Sequence, residues 1–190
     1  MIAGLILAAG AGTRFGDAPK QLAPFGGRPL LEWAVRAQCG VAELERVVVV
    51  LGARADEVRA GVAFGRAETV VCTEWASGQA NSLRRGCREL AGADRVIVTL
   101  GDAPVITTAM IELFLDAAPR TRAVYGGRPG HPVVLGPDEL TALTALDGDV
   151  GARVLLRGGP VLELGHLSSG RDVDTPDDLK ELRDEAGAVI

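Results

Sequence analysis

Short, uninterrupted apolar runs alternate along this chain with longer stretches whose apolar residues recur every three or four positions. The runs at residues 2–7, 46–51, 69–72 and 95–100 are rich in valine, isoleucine and leucine, and residues 123–125, 131–135 and 161–164 extend the series. Each has the length and β-branched content of a strand. VVVVL and VIVTL carry no polar alternation, which predicts parallel strands buried on both faces. Between them, residues 30–38, 55–62, 80–90, 109–117 and 150–156 carry the helical period. A last helix is marked by Asp174 or Thr175 as its cap, Pro176 in its first turn, and Asp177 and Asp178 behind it. Alternating strands and helices predict a three-layer α/β/α domain with a mostly parallel sheet. No linker, repeat or low-complexity stretch interrupts it, so residues 1–190 read as one domain.

Composition narrows the function classes. With 47% apolar residues the chain builds a substantial core, which excludes disorder. The formal net charge of -5 is spread over interleaved signs, so a broad nucleic-acid surface is not expected. Cys39, Cys72 and Cys87 have no CxxC spacing, which points to reduced thiols in a cytoplasmic protein rather than disulfides or zinc. The apolar start, MIAGLILAAGAGTR, has no basic residues ahead of it and is too short to cross a bilayer. It reads as the first core strand, and no membrane role is expected.

Candidate chemistry gathers after that strand. Gly10 and Gly12 let the backbone approach a ligand and turn N–H groups toward an anion, while Arg14 and Lys20 add fixed positive charge. A Walker A loop is excluded because Gln21 follows Lys20, and the dinucleotide fingerprint fails because Phe15 stands where its third glycine belongs. The second strand ends Leu51-Gly52, without an acidic residue for a ribose, which counts against a nicotinamide-dependent oxidoreductase. Asp102 closes the strand VIVTL, where open α/β sheets bind ligands, and Asp174 in DVDTP offers a second carboxylate. Two carboxylates together with phosphate oxygens suit Mg²⁺. Asp102 in a turn and Asp174 as a helix cap are the competing structural readings.

The ordered set LAAGAGTRFG, PKQL and GRPLLEWAV resembles the MobA-like NTP transferases, of glycosyltransferase-A type, Rossmann-like fold, and among them the molybdenum cofactor cytidylyltransferases. The resemblance extends through WASGQANSL, LGDAP, GHP, GDVGAR and DVDTPDDL, so it covers nearly the whole chain. It implies a nucleotide-binding set of Leu7, Ala8, Ala9, Gly10, Gly12, Arg14, Lys20, Gly78, Ser82 and Asp102. Arg14, Lys20 and Asp102 are the catalytic residues it implies; Asp102 holds Mg²⁺ with Asp174, or with Asp172 two residues before it. His131, Asp149 and Arg153 are implied on the acceptor side, and His166 is left structural. Guanylyl-transferring relatives open with LAGG and a DKG segment; Leu7-Ala8-Ala9-Gly10 and Pro19-Lys20-Gln21 favour CTP. Ala103 departs from the pattern, since relatives often carry glutamine there.

The expected reaction is Mg²⁺-dependent transfer of a nucleoside monophosphate, CMP by preference, from an NTP to a phosphate-bearing acceptor such as molybdopterin, releasing pyrophosphate. Alternative acceptors are methylerythritol phosphate and a sugar phosphate. A different class is a non-catalytic partner that delivers cofactor to a molybdoenzyme, and transient contact with such an enzyme fits either class.

Overall fold

The computed structural model describes residues 1–145 and 157–187. Among these residues nine strands form, in chain order β1 Ile2–Ala8, β2 Pro24–Phe25, β3 Arg28–Pro29, β4 Arg46–Leu51, β5 Glu68–Val71, β6 Arg95–Leu100, β7 Arg122–Tyr125, β8 Arg128–Leu135 and β9 Val161–Glu163. The described helices are α1 Leu30–Cys39, α2 Ala55–Gly61, α3 Gln79–Glu89, α4 Thr108–Glu112, α5 Pro137–Ala145 and α6 Pro176–Gly187. The expected helix at 150–156 lies outside the described residues.

Seven of the strands form one sheet in the order β5-β4-β1-β6-β8-β7-β9, and β2 and β3 make a separate hairpin. β1 is parallel to both its neighbours, β4 and β6; β8 runs against its neighbours, and the sheet is otherwise parallel. Period-two alternation sorts the strand side chains into two cores. Ile6, Val47, Val49 and Ile97 pack with Leu31 and Val35 of α1 and with Met110 and Ile111 of α4. Ala3, Leu5, Val48, Val50, Val96 and Val98 face the other way, against Leu83 and Cys87 of α3 and Leu140 and Leu143 of α5. That is the three-layer α/β/α arrangement the continuous valine runs predict.

Two helices depart from expectation, and the β2–β3 hairpin was not expected. The helix expected at 109–117 is regular only over Thr108–Glu112, with the Thr107 side chain accepting from the Met110 amide at its start. Beyond it, the Phe114 and Leu115 amides bond three residues back, tightening the chain before Pro119. Helix α5 was not expected; Pro137, Asp138 and Glu139 at its start are ordinary helix-opening signals.

A third cluster positions the C-terminal segment. Leu179 and Leu182 of α6 and Val173 before it pack on Ala23, Phe25 and Leu30, around the β2–β3 hairpin. The Val173 amide donates to the Asp102 carbonyl at 2.8 Å. These contacts bring the DVDTP segment beside the loop after β1.

Candidate active site

The loop after β1 takes its shape from two residues. Gly12 adopts φ 61, and the chain then enters a short 3-10 turn, Thr13–Phe15, that carries Arg14. A Cβ at Gly12 would come 3.0 Å from the Lys20 Cβ, so the glycine backbone lies against the lysine stem. Gln21 holds the other side: its Nε2 donates to the carbonyls of Ala8 (3.0 Å) and Gly10 (2.9 Å). The sequence reading missed Gln21 as a functional residue. Its signal was the PKQ segment, where a buried amide next to a glycine loop is a ready clamp.

Lys20 is the centre of the cluster. Its Nζ lies 2.6 Å from Asp102 Oδ2 and 3.3 Å from Asp174 Oδ1, and the Arg14 guanidinium reaches Asp174 Oδ2 at 2.8 Å. The lysine side chain is 10% exposed while that of Arg14 is 68% exposed. The Lys20–Asp102 pair is therefore sheltered from water, whereas Asp174 is 40% exposed and its bridge to Arg14 is a surface pair of little energetic weight. Burial pushes the Asp102 carboxyl above its usual value, against the attraction of Lys20, and Asp172 pushes in the same direction as burial. Asp102 Oδ1 is buried without a hydrogen-bond partner among the described residues.

The structure separates the two aspartates of DVDTP. The Asp178 carboxylate accepts from the amides of Asp174 (3.0 Å) and Thr175 (2.7 Å), and the Thr175 hydroxyl accepts from the Asp178 amide at 3.2 Å. Thr175 and Asp178 thus cap α6 reciprocally, in the manner of a capping box. The Asp174 side chain has no share in that cap and turns to Lys20 and Arg14. Asp172 lines a cavity instead.

That cavity, about 590 Å³, is lined by Ala103, the residue after Asp102, as well as by Asp172. Leu7, Val98, Leu100 and Leu135 form apolar walls, and Gln79, Arg122, His131 and Asp172 supply polar groups. His131, from β8, is held neutral: burial, helped by Arg122, pushes its pKa down to about 4. It therefore offers a hydrogen bond rather than a charge. Arg122 Nε is buried with no hydrogen-bond partner among the described residues. Gly78, at φ 124, leads into α3, and Ser82 sits buried in the first turn of that helix. Asp149 and Arg153 lie outside the described residues, and exposed His166 stands apart from the cavity.

A divalent cation fits these donors on three counts. Two carboxylates converge, one of their oxygens is buried and unsatisfied, and hard oxygen ligands suit Mg²⁺ or Mn²⁺. Among the described residues no group of three or more histidine, cysteine, aspartate or glutamate side chains could hold a metal. A cation here would draw its other ligands from substrate and water. No described helix is long and apolar enough to cross a membrane.

Known proteins resemble this chain over much of its length. Nicotine blue oxidoreductase of Paenarthrobacter nicotinovorans is 33% identical over 95% of this chain and 96% of its own. The bifunctional protein GlmU of Acidithiobacillus ferrooxidans is 36% identical over 62% of the chain, which spans only 26% of that longer protein. The crystal structure of Rv0371c from Mycobacterium tuberculosis superposes with a TM-score of 0.80 at 30% identity, covering 96% of this chain and 97% of that one. A manganese complex of Rv0371c matches with a TM-score of 0.77 at 28% identity, covering 96% and 98%. Residues 4–167 match the MobA-like NTP transferase domain, and with a site built on the loop after β1 and a carboxylate at the end of β6, the chain belongs to that family.

Proposed function

We propose that this chain is a nucleotidyltransferase that moves a nucleoside monophosphate, CMP by preference, from its triphosphate to a phosphate-bearing acceptor. The single observation that carries the reading is the meeting of Lys20 and Arg14 with Asp102 and Asp174 at the end of β6, beside a glycine loop and an open cavity. In this reading residues 1–190 act as one cytoplasmic domain. Leu7, Ala8, Ala9, Gly10, Gly12, Gly78 and Ser82 bind the nucleotide.

The chemistry asks for charge and alignment rather than a strong base. An acceptor phosphate oxygen attacks the α-phosphorus in line, the bond to the bridging oxygen breaks, and pyrophosphate leaves with the bonding pair. Arg14 and Lys20 balance the charge that grows on the leaving pyrophosphate. Asp102 and Asp174 would hold Mg²⁺, which supplies Lewis acidity toward the α-phosphate when bound. The acceptor lies in the cavity next to Asp102, hydrogen-bonded to neutral His131 and facing the Arg122 guanidinium, with Asp149 and Arg153 as further acceptor residues.

Pyrophosphate release from CTP, GTP, ATP and UTP with Mg²⁺, with and without a molybdopterin-type acceptor, tests the reading. Release confined to CTP plus that acceptor is the expected result; release with another base or acceptor moves the substrate and keeps the chemistry. Arg122→Gln is expected to raise KM for the acceptor about tenfold or more, as loss of a charge-assisted hydrogen bond implies. KM for the NTP should stay the same, and an equal rise in both would remove Arg122 from the acceptor side.

A second reading, oxidoreductase, is favoured by the name of the relative that aligns with 95% of this chain. Against it, β1 leads into the short Thr13–Phe15 turn rather than a long helix whose N-terminus could meet a dinucleotide diphosphate. Acceptor-dependent loss of NADH absorbance, with no pyrophosphate from any NTP, would replace the first reading by the second.

A further inference from the structure

We propose that Lys20 is a resident counter-ion that competes with a divalent cation for Asp102 and Asp174, so that cation and nucleotide each promote binding of the other. The inference rests on the nucleotidyltransferase reading of this site. Of the four oxygens on the two carboxylates, three already face cationic groups of the protein. Lys20 Nζ takes Asp102 Oδ2 at 2.6 Å and Asp174 Oδ1 at 3.3 Å, and Arg14 takes Asp174 Oδ2 at 2.8 Å. An ammonium that is 10% exposed interacts with Asp102 through little water, so a dication brought between the two carboxylates meets like-charge repulsion from Lys20. Lys20 and Arg14 are also the cations that a triphosphate requires. While they hold the aspartates, they are withdrawn from phosphate; when phosphate takes them, the carboxylates are released to the cation.

The loop supplies a mechanical link for this exchange. The backbone at Gly12 lies against the Lys20 stem, and Gln21, the next residue, is bonded to the carbonyls of Ala8 and Gly10. A phosphate chain settling on residues 10–12 therefore presses on the segment that carries Lys20. The coupling is reciprocal, since a ligand that favours release of Lys20 favours every other ligand that needs it released.

A rival arrangement is available to the same atoms. The cation could take the unpartnered Asp102 Oδ1 alone and leave Lys20 where it is. The two arrangements differ in what removal of the lysine charge does. Mn²⁺ binding to Lys20→Met and to the unaltered chain, followed by water proton relaxation, separates them without any turnover. The titration is run with Mn²⁺ alone and then with the α,β-methylene analogues of CTP and GTP.

The unaltered chain is expected to take Mn²⁺ weakly alone and tightly with an analogue. Lys20→Met should bind Mn²⁺ alone about tenfold more tightly or better, because the competing charge is gone. The promotion by the analogue should shrink in the variant. Equal affinity of both proteins for Mn²⁺ alone, with promotion intact in the unaltered chain, would overturn the counter-ion role and leave the metal-nucleotide centre standing. No Mn²⁺ binding by either folded protein under any condition would remove the centre itself, and the proposal with it. Should the methionine variant fail to fold by circular dichroism, Lys20→Gln reads the same loss of charge while keeping a hydrogen-bond donor.

Discussion

Asp102→Asn is expected to abolish nucleotidyl transfer, by on the order of 10³-fold or more in kcat, while leaving the protein at least as stable at neutral pH. The loss follows from the carboxylate's place at the end of β6, with one oxygen on Lys20 and the other buried without a partner. An amide keeps the hydrogen bond from Lys20 and loses the charge. The stability half follows from the raised pKa. Burial makes ionisation of Asp102 unfavourable, with Lys20 opposing and Asp172 adding to the effect. An acid whose pKa rises on folding contributes stability that is complete below its ordinary value and is lost as pH increases through the folded value. At neutral pH the ionised group is therefore a net cost, of the kind active sites commonly carry. Calorimetry should show Tm of the variant equal to or above that of the unaltered chain at pH 8, with the gap narrowing toward pH 4. Pyrophosphate release close to the original rate would remove Asp102 from the chemistry. A lower Tm at pH 8 would show that the Lys20 pair outweighs the burial cost.

Gly170→Ala is expected to give the largest loss of stability among single methyl additions at the site. Gly170 adopts φ 61, a conformation that disfavours side chains, and a Cβ there would come 2.3 Å from two atoms of the Tyr125 ring. Gly130 also packs close to this ring, where a Cβ would stand 2.8 Å from it. The Tyr125 hydroxyl also donates to the His131 carbonyl at 2.6 Å, so a displaced ring disturbs β8 and the cavity wall. Left-handed strain and overpacking together imply about 2–4 kcal/mol, or a fall of about 5–15 °C in Tm. Gly130→Ala, with ordinary backbone angles, should cost less. An unchanged melting curve for Gly170→Ala would mean that Tyr125 repacks freely. KM for the nucleotide reports the second consequence, since Asp172 and Asp174 follow Gly170 closely and shift with it.

Much of this architecture is written locally. The bounds of β4 and β6 fall where the valine and isoleucine runs begin and end, because a strand buried on both faces admits a polar residue only with a partner, as Gln38 gives Thr99 at 3.0 Å. The loop after β1 and the aspartate after β6 were legible for a related reason. Glycines, cations and a carboxylate at strand ends are a chemical pattern that survives without knowledge of the fold. Helix α5 was harder to read because PDELTALTA carries only a weak apolar stripe, and its burial is set by the α3 surface it meets. The antiparallel direction of β8 is invisible in GHPVVL, since the same side chains suit either ladder.

The sequence by itself determined the layers, the glycine loop after β1 and the presence of two carboxylates of a kind suited to a divalent cation. It left open whether Asp172 or Asp174 joins Asp102, and which residue caps α6. Tertiary structure decided the cap: Thr175 and Asp178 close the helix reciprocally, while Asp174 turns to Lys20 and Asp172 lines the cavity. It also decided that Lys20 stands between the carboxylates and that Arg122 lines the cavity. The reason is range. Propensity and periodicity act over a few residues, whereas Lys20 meets Asp102 and Asp174 across 82 and 154 residues of chain. The packing of Val173, Leu179 and Leu182 on Phe25 and Leu30, with the Val173 amide on the Asp102 carbonyl, brings Asp174 to that meeting.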